Sequence, residues 1–237
     1  MKNIGFCTGA LAKDDFRLAI NKMVEHSITA IELSAMYLPQ LREIHKYMID
    51  LNQSHKLHFK HTSIHVPKFG PHEEDEVLDL LNLFNYLKWP MIVHPQFIYT
   101  PDKWEHFDQL LCVENMDKRA FGKTTREMSW VFQESSPKNA SMCFDIGHTR
   151  HVDPTMKDGE DMLKIFKRRI NQVHISEVRS DCKHISISPE CIKDFKKITN
   201  LIPSDVVVII ESMIPLYDIE SELKNAKKSF QDGWVIS

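Results

Sequence analysis

The chain has 237 residues, 42% of them hydrophobic and 27% charged, which excludes a disordered tail and a disulfide-stapled mini-domain and allows a full core. Thirty basic residues against 33 acidic ones leave a net charge of −3, which argues against nucleic acid as the main partner. Only 7 glycines are present, so Gly-rich phosphate loops are scarce, and 5 scattered cysteines with no CxxC pair read as reduced thiols of a cytoplasmic protein. The longest apolar run, Val206 to Ile210, is too short for a membrane span, and Met1-Lys2-Asn3 leads straight into a strand-like run, so no secretory signal is expected.

Short β-rich apolar runs alternate with helical stripes. The first run is Ile4–Cys7. Asp14 is the expected cap of a helix that buries Phe16, Ala19, Ile20 and Met23. Ala30–Leu33 follows, then a stripe of Leu41, Ile44 and Met48. Ser63–Val66 precedes the acidic Glu73-Glu74-Asp75-Glu76, which suits a helix N-terminus, and the stripe Val77, Leu80, Leu81, Phe84 and Leu87. Next come Met91–His94 and Leu111–Val113, the stripe Met128, Val131 and Phe132, and the run Met142–Phe144. Met162, Ile165 and Phe166 form another helical face, followed by Gln172–Ile175, then Ile192, Phe195 and Ile198. Val206–Ile210 and a last stripe of Ile219, Leu223 and Ala226 complete the series. Eight strand–helix units in one chain, with no linker between them, predict a single α/β domain over 1–237, a closed (β/α)8 barrel. A doubly wound open sheet is the runner-up, but no dinucleotide or P-loop glycine motif is present and no nucleotide cofactor is expected.

Ionisable residues stand at the ends of these runs. They are Glu32, His65, His94, Glu114, Asp145 with His148, His174 with Glu177, and Glu211, and His184 follows in a loop. A barrel gathers such ends at one mouth. Acids and imidazoles ending apolar strands lose hydration, and so many in one place cannot all stay neutral and unpaired. A bound divalent metal resolves the conflict, and mixed N and O donors suit zinc, manganese, cobalt or iron. Each residue alone has a plainer reading: a lone histidine is more often hydrogen-bonded structure, and a lone glutamate pairs with Lys or Arg, for which Lys60, Lys68, Arg150 and Arg179 are at hand. Glu32 and His61 are expected outside the tight cluster with structural roles, although His61 shares strand parity with His65. His26, His45, His55, His58, His72, His106 and His151 are expected on solvated helices or loops.

The ordered set VENMD, FDIGH, HISE and VVVIIE resembles the xylose isomerase-like TIM barrels, over nearly the whole chain. That superfamily holds sugar and sugar-phosphate isomerases and epimerases and the endonuclease IV group (AP endonuclease family 2). The epimerase resemblance implies one metal held by Glu114, Asp145, His174 and Glu211, with Glu114 and Glu211 as the acid–base pair. It also implies substrate contacts for His148, and for Glu177 and Arg179 in the stretch after His174. The endonuclease IV resemblance implies further metals, one on His65, His94 and Glu114 and a third on His148 and His184. Its usual aspartate in the third site is replaced by Cys182, with Asp181 displaced by one residue.

Three functions follow as expectations. The first is a metal-dependent isomerase or epimerase of a small sugar-like substrate, with proton transfer next to a carbonyl. The second is a polynuclear zinc phosphoester hydrolase, which the surplus of histidines favours and the absence of basic clamps opposes. The third is a non-catalytic barrel that binds a small ligand. Glu211 ends the most apolar strand, so its carboxylate is expected among the least solvated of the site.

Overall fold

In the computed structural model, residues 2–52 and 59–231 are described, so His55 and His58 lie outside the described residues. Eight parallel strands close a barrel: β1 (Ile4–Cys7), β2 (Ala30–Ser34), β3 (His61–His65), β4 (Met91–Val93), β5 (Leu111–Glu114), β6 (Ser141–Asp145), β7 (Ile170–Ile175) and, after a hairpin, β10 (Val207–Ile210). β10 pairs with both β7 and β1, so no sheet edge is left and the open-sheet alternative is excluded. The hairpin is β8 (Glu177–Val178) with β9 (His184–Ile185), inserted after the seventh barrel strand. Among the described residues no helix is long and apolar enough to cross a membrane.

Strand parity sorts the side chains. Phe6, Ile31, Leu33, Ile64, Val113, Phe144, Val173 and Val208 face outward into one large core shared with the helices. The interior holds small or polar groups instead. Cys7, Ala30 and Ile209 form one small interior cluster and Ile92, Cys112 and Cys143 another. Above and between them stand Glu32, Ser63, Gln172 and His174, all fully buried. β1 comes so close to β2 that a Cβ on Gly5 would fall 1.8 Å from the Ala30 carbonyl oxygen, so only glycine fits there.

The helical layer follows the apolar stripes with two corrections. Asp15, not Asp14, caps the helix Phe16–Glu25, accepting from the Leu18 N–H at 2.9 Å. Asp14 accepts from Gln40 Nε2 instead. In the helix Lys157–Phe166 the buried face is Met162, Leu163 and Phe166, and Ile165 is 61% exposed. Position 165 has the right spacing from 162, but 163 lies nearer the centre of the stripe set by 162, 166 and Gly159.

A candidate metal centre at the barrel mouth

Two local devices place the groups. Asp145 ends β6 and caps the helix Ile146–Val152, accepting from the His148 N–H at 2.6 Å through Oδ1. That one bond fixes the carboxylate and the histidine three residues on together. Gly147 lies between them because a Cβ there would stand 2.4 Å from the Ser176 carbonyl oxygen, so the turn packs directly on the end of β7. Asn115, just past β5, holds the neighbouring strand ends in register. Its Oδ1 accepts from the Asp145 N–H at 2.8 Å, and its Nδ2 donates to the Asp145 carbonyl at 3.0 Å.

Glu114 is the hub. Its Oε2 lies 3.2 Å from His65 Nε2 and 3.1 Å from His94 Nε2, and its Oε1 lies 3.0 Å from His174 Nδ1. Burial pushes Glu114 up, but the His174 charge and hydrogen bonds from His174, His65 and His94 outweigh it and hold the group well below the usual carboxylate range. His174 spends its other nitrogen below the site, with Nε2 3.0 Å from Glu32 Oε2. The carboxylate therefore orients the ring so that Nδ1 faces Glu114 and, at 3.4 Å, Glu211 Oε1. Burial opposes charge on His174, yet Cys143, Glu211, Glu32 and Glu114 raise it well above an ordinary histidine. Burial also opposes charge on His65, but the bond to Glu114 and the charges of Glu32, Glu114 and Glu211 lift it to about 9.

Glu211 follows β10 and faces the opening. Burial first, and then the charges of Glu114, Asp145 and Glu32, push it up to about 8 against the pull of His174. Asp145 is raised as well, again mainly by burial. On the far side His148 donates Nδ1–H to the Asn115 carbonyl at 2.9 Å and turns Nε2 toward His184 Nε2, 3.2 Å away. Burial and the neighbouring His148 push His184 down to about 3.

The structure thus brings Glu114, Asp145, His174 and Glu211 to one point, with one donor atom from each within 4.8 Å of the others. It also groups His65 and His94 with Glu114, and His148 and His184 with Asp145, at the same separation. The donors fit a divalent cation. Asp145 Oδ2 is buried without a hydrogen-bond partner, a costly state that a cation would relieve, and the imidazole and carboxylate atoms are of the type zinc-like ions take. None of the four mouth carboxylates Glu32, Glu114, Asp145 and Glu211 is paired with Lys or Arg among the described residues. Above the cluster opens a cavity of about 220 Å³. Glu114, Glu211, His65, His94, His148 and His184 line its floor, whereas Asp145 and His174 do not reach it.

Several expectations are corrected by this geometry. Glu177 and Arg179 are not in the cluster. The hairpin carries them aside, where Glu177 accepts from the Ser188 N–H at 3.0 Å and Arg179 pairs with Asp181 at the surface. Asp181 and Cys182 join none of the ligand groups; Asp181 is occupied by Arg179 and Lys183. Glu32 is not peripheral but touches His174 directly, because its inward parity on β2 points it into the closed barrel. His61 also points inward and pairs with Gln172 at 3.0 Å, below the site. Glu211 is the most solvated of the four-residue group, not the least. Its side chain is 13% exposed against 0% for His174, because it lies one residue beyond its strand at the opening. Sequence reasoning missed Arg119, which lines the cavity and pairs with Asp117 at 2.9 Å; VENMD contains Asp117, but nothing in one chain marks Arg119. Of the outlying histidines, His72 and His106 are exposed and His26, His45 and His151 half-buried.

The sequence matches no protein-family model and no curated protein sequence. Its fold matches many solved structures. A D-tagatose 3-epimerase-like protein superposes with a TM-score of 0.66 over 97% of both chains at 16% identity. An IolI protein with a bound zinc atom gives a TM-score of 0.63, covering 97% of this chain and 96% of that one at 14% identity. An AP endonuclease of family 2 from Brucella melitensis gives 0.56, covering 91% and 94% at 13% identity. At such identities the likeness establishes the architecture: this chain has the fold of the xylose isomerase-like TIM barrels.

Proposed function

We propose that this chain is a divalent-metal-dependent enzyme that isomerises or epimerises a small sugar-like substrate by proton transfer next to a carbonyl. One observation carries this reading. Of the group Glu114, Asp145, His174 and Glu211, only the two glutamates also line the cavity, so both can reach a substrate as well as an ion. Two carboxylates on one substrate are what a paired acid and base require. The four residues would hold the ion, with zinc, manganese, cobalt or iron as candidates and Glu32 orienting His174 from below. Bound there, the ion would act as a Lewis acid on the substrate's carbonyl and hydroxyl oxygens.

The remaining chemistry belongs to the side chains. Each glutamate would give one oxygen to the ion and keep the other for the substrate, Glu114 entering ionised and Glu211, which burial raises, carrying a proton on its free oxygen. Glu114 is poised to take the proton from carbon, and the C–H electron pair passes toward the carbonyl oxygen. Glu211 delivers a proton to the neighbouring or same carbon from the other side. In the reverse direction the roles exchange. His148 and His184 offer ring nitrogens to substrate hydroxyls at the cavity floor. The likeness to a D-tagatose 3-epimerase-like protein and to a zinc-bound IolI protein supports both the substrate class and the metal.

Replacing Glu211 by Gln should lower turnover by ~10²–10⁴ while the fold stays intact. The assay is deuterium exchange at the α-carbon over a panel of ketoses and their phosphates. Exchange that persists unchanged in Glu211→Gln overturns the role. A second reading, a polynuclear phosphoester hydrolase of the endonuclease IV type, is favoured by the adjoining groups His65–His94–Glu114 and Asp145–His148–His184. Activity separates the two. Exchange on ketoses without phosphodiester cleavage supports the isomerase; phosphodiester cleavage that depends on ions held by the histidines His65, His94, His148 and His184 replaces it.

A further inference from the structure

Cys7 closes β1 and points into the mouth of the barrel, in register with Glu32 on β2 and beside β10, which leads into Glu211. One donor atom from each of Cys7, Glu32 and Glu211 lies within 4.8 Å of the others. This group contains none of the histidines that define the centre described above, and among the described residues it adds the only thiol that lines the cavity.

Glu32 supplies an independent sign that something is to be held here. Its Oε2 is saturated, accepting from Gln172 Nε2 at 2.6 Å and Ser63 Oγ at 3.2 Å and facing His174 Nε2 at 3.0 Å. Its Oε1 is buried with no partner at all, on a residue with no exposed surface. A saturated oxygen beside an orphaned one, with the carboxylate pinned in place, is what a ligand awaiting a cation looks like. Burial and the charges of Glu32 and Glu211 push the Cys7 thiol up, against weaker pulls from the Ala10 backbone and the Ser34 side chain, so without a cation the sulfur keeps its proton. The cavity reaches Cys7, so an ion has a way in.

We propose that Cys7, Glu32 and Glu211 form a second, sulfur-containing metal position that shares Glu211 with the nitrogen and oxygen centre and takes a thiophilic divalent ion of the zinc, cobalt or cadmium type. Thiolate with two carboxylates selects borderline ions over magnesium or calcium. Binding breaks the Cys7 S–H bond, the sulfur pair goes to the ion, and the proton leaves to solvent, with no change of oxidation state. The position lies beyond the isomerase reading and does not need it to be correct.

The test is cobalt(II) titration of the metal-free full-length protein, read by absorption and by bound cobalt per chain. The expected result is a near-ultraviolet sulfur-to-cobalt charge-transfer band besides the visible d–d bands. Cys7→Ser should abolish that band and lower bound cobalt by one per chain while the d–d bands of the histidine–carboxylate centre remain. Cys182→Ser should change nothing. No charge-transfer band at saturating cobalt, or a band that survives Cys7→Ser, overturns the proposal and leaves the proposed function standing. Thiol alkylation of the wild-type chain tests the same point without a variant. Cobalt should protect the Cys7 peptide from labelling by mass spectrometry, and unprotected labelling overturns the proposal.

Discussion

Buried carboxylates occur in two regions of this molecule and are treated in opposite ways. In the outer layer, Glu74 accepts from the Tyr99 N–H at 2.9 Å, the Thr100 N–H at 3.0 Å and Trp104 Nε1 at 2.9 Å. Glu222 accepts from Ser186 Oγ, Ser212 Oγ and the Ile187 N–H. Both are surrounded by neutral donors, and Glu74 is held below the usual range by those bonds in spite of its burial. At the mouth, Glu32, Glu114, Asp145 and Glu211 face imidazoles and one another. Two of them keep an oxygen with no hydrogen bond, and two are pushed up. Donors enough to satisfy the charge mark a carboxylate that holds the fold together. A shortage of donors, repeated at one point, marks a place prepared for a cation.

The largest expected effect that tests this contrast is metal-linked stability. With free zinc at a hundredfold its dissociation constant, the mouth should gain ~2.7 kcal/mol of stability. At ~2–4 °C per kcal/mol for a chain of this size, Tm should rise by roughly 5–11 °C. A chelated protein that melts at the same temperature with and without zinc would place the mouth carboxylates in the same class as Glu74.

The next effect is a difference of sign between two substitutions in the metal-free protein. Glu74→Leu removes the acceptor for the fully buried Trp104 Nε1 and should cost about 1–3 kcal/mol. Asp145→Asn keeps an oxygen for the His148 N–H and removes a carboxylate that burial has raised, so it should leave metal-free stability unchanged or higher while weakening zinc binding. Urea unfolding in chelator measures both. A destabilised Asp145→Asn would remove the distinction.

The smallest effect is a proton count. His174, raised well above an ordinary histidine by the surrounding carboxylates, is the protonated member of the group in the metal-free protein. Ligation through Nδ1 needs that nitrogen free, so zinc uptake should release a proton, and affinity should rise with pH. Calorimetry in buffers of different ionisation enthalpy reads the release directly. No release at pH 7 would mean His174 is already neutral without a cation.

Much of this is legible in the sequence alone. The eight apolar runs are all barrel strands, the first with its bounds as expected and the other seven with an end shifted by one or two residues, because a strand of a closed barrel packs its outer side against the helices and must be apolar there. His65, His94, Glu114, Asp145, His174 and Glu211 stand out because each ends such a run, where an ionisable group has no plain reason to be. Sequence reasoning misplaces Glu177 and Arg179 because they lie past a strand end, and the hairpin of β8 and β9 turns after His174 in a way no local pattern announces. It undervalues Glu32 because strand parity tells only that the residue faces one side, not what waits there.

The sequence by itself determined the alternation of strand and helix, hence the barrel, and the set of acids and imidazoles that the strand ends would carry to one mouth. Those follow from chain-local chemistry: period, caps and the cost of charge in an apolar run. Only the tertiary structure decided which groups meet. Closure of β10 on β1 set Glu211 beside Cys7, and the register of β2 and β7 across the barrel put Glu32 under His174. Capping of a helix by Asp145 left its second oxygen without a hydrogen bond. Contacts across a barrel join residues far apart in the chain, and their energies depend on distances of a few ångströms that only the closed fold defines.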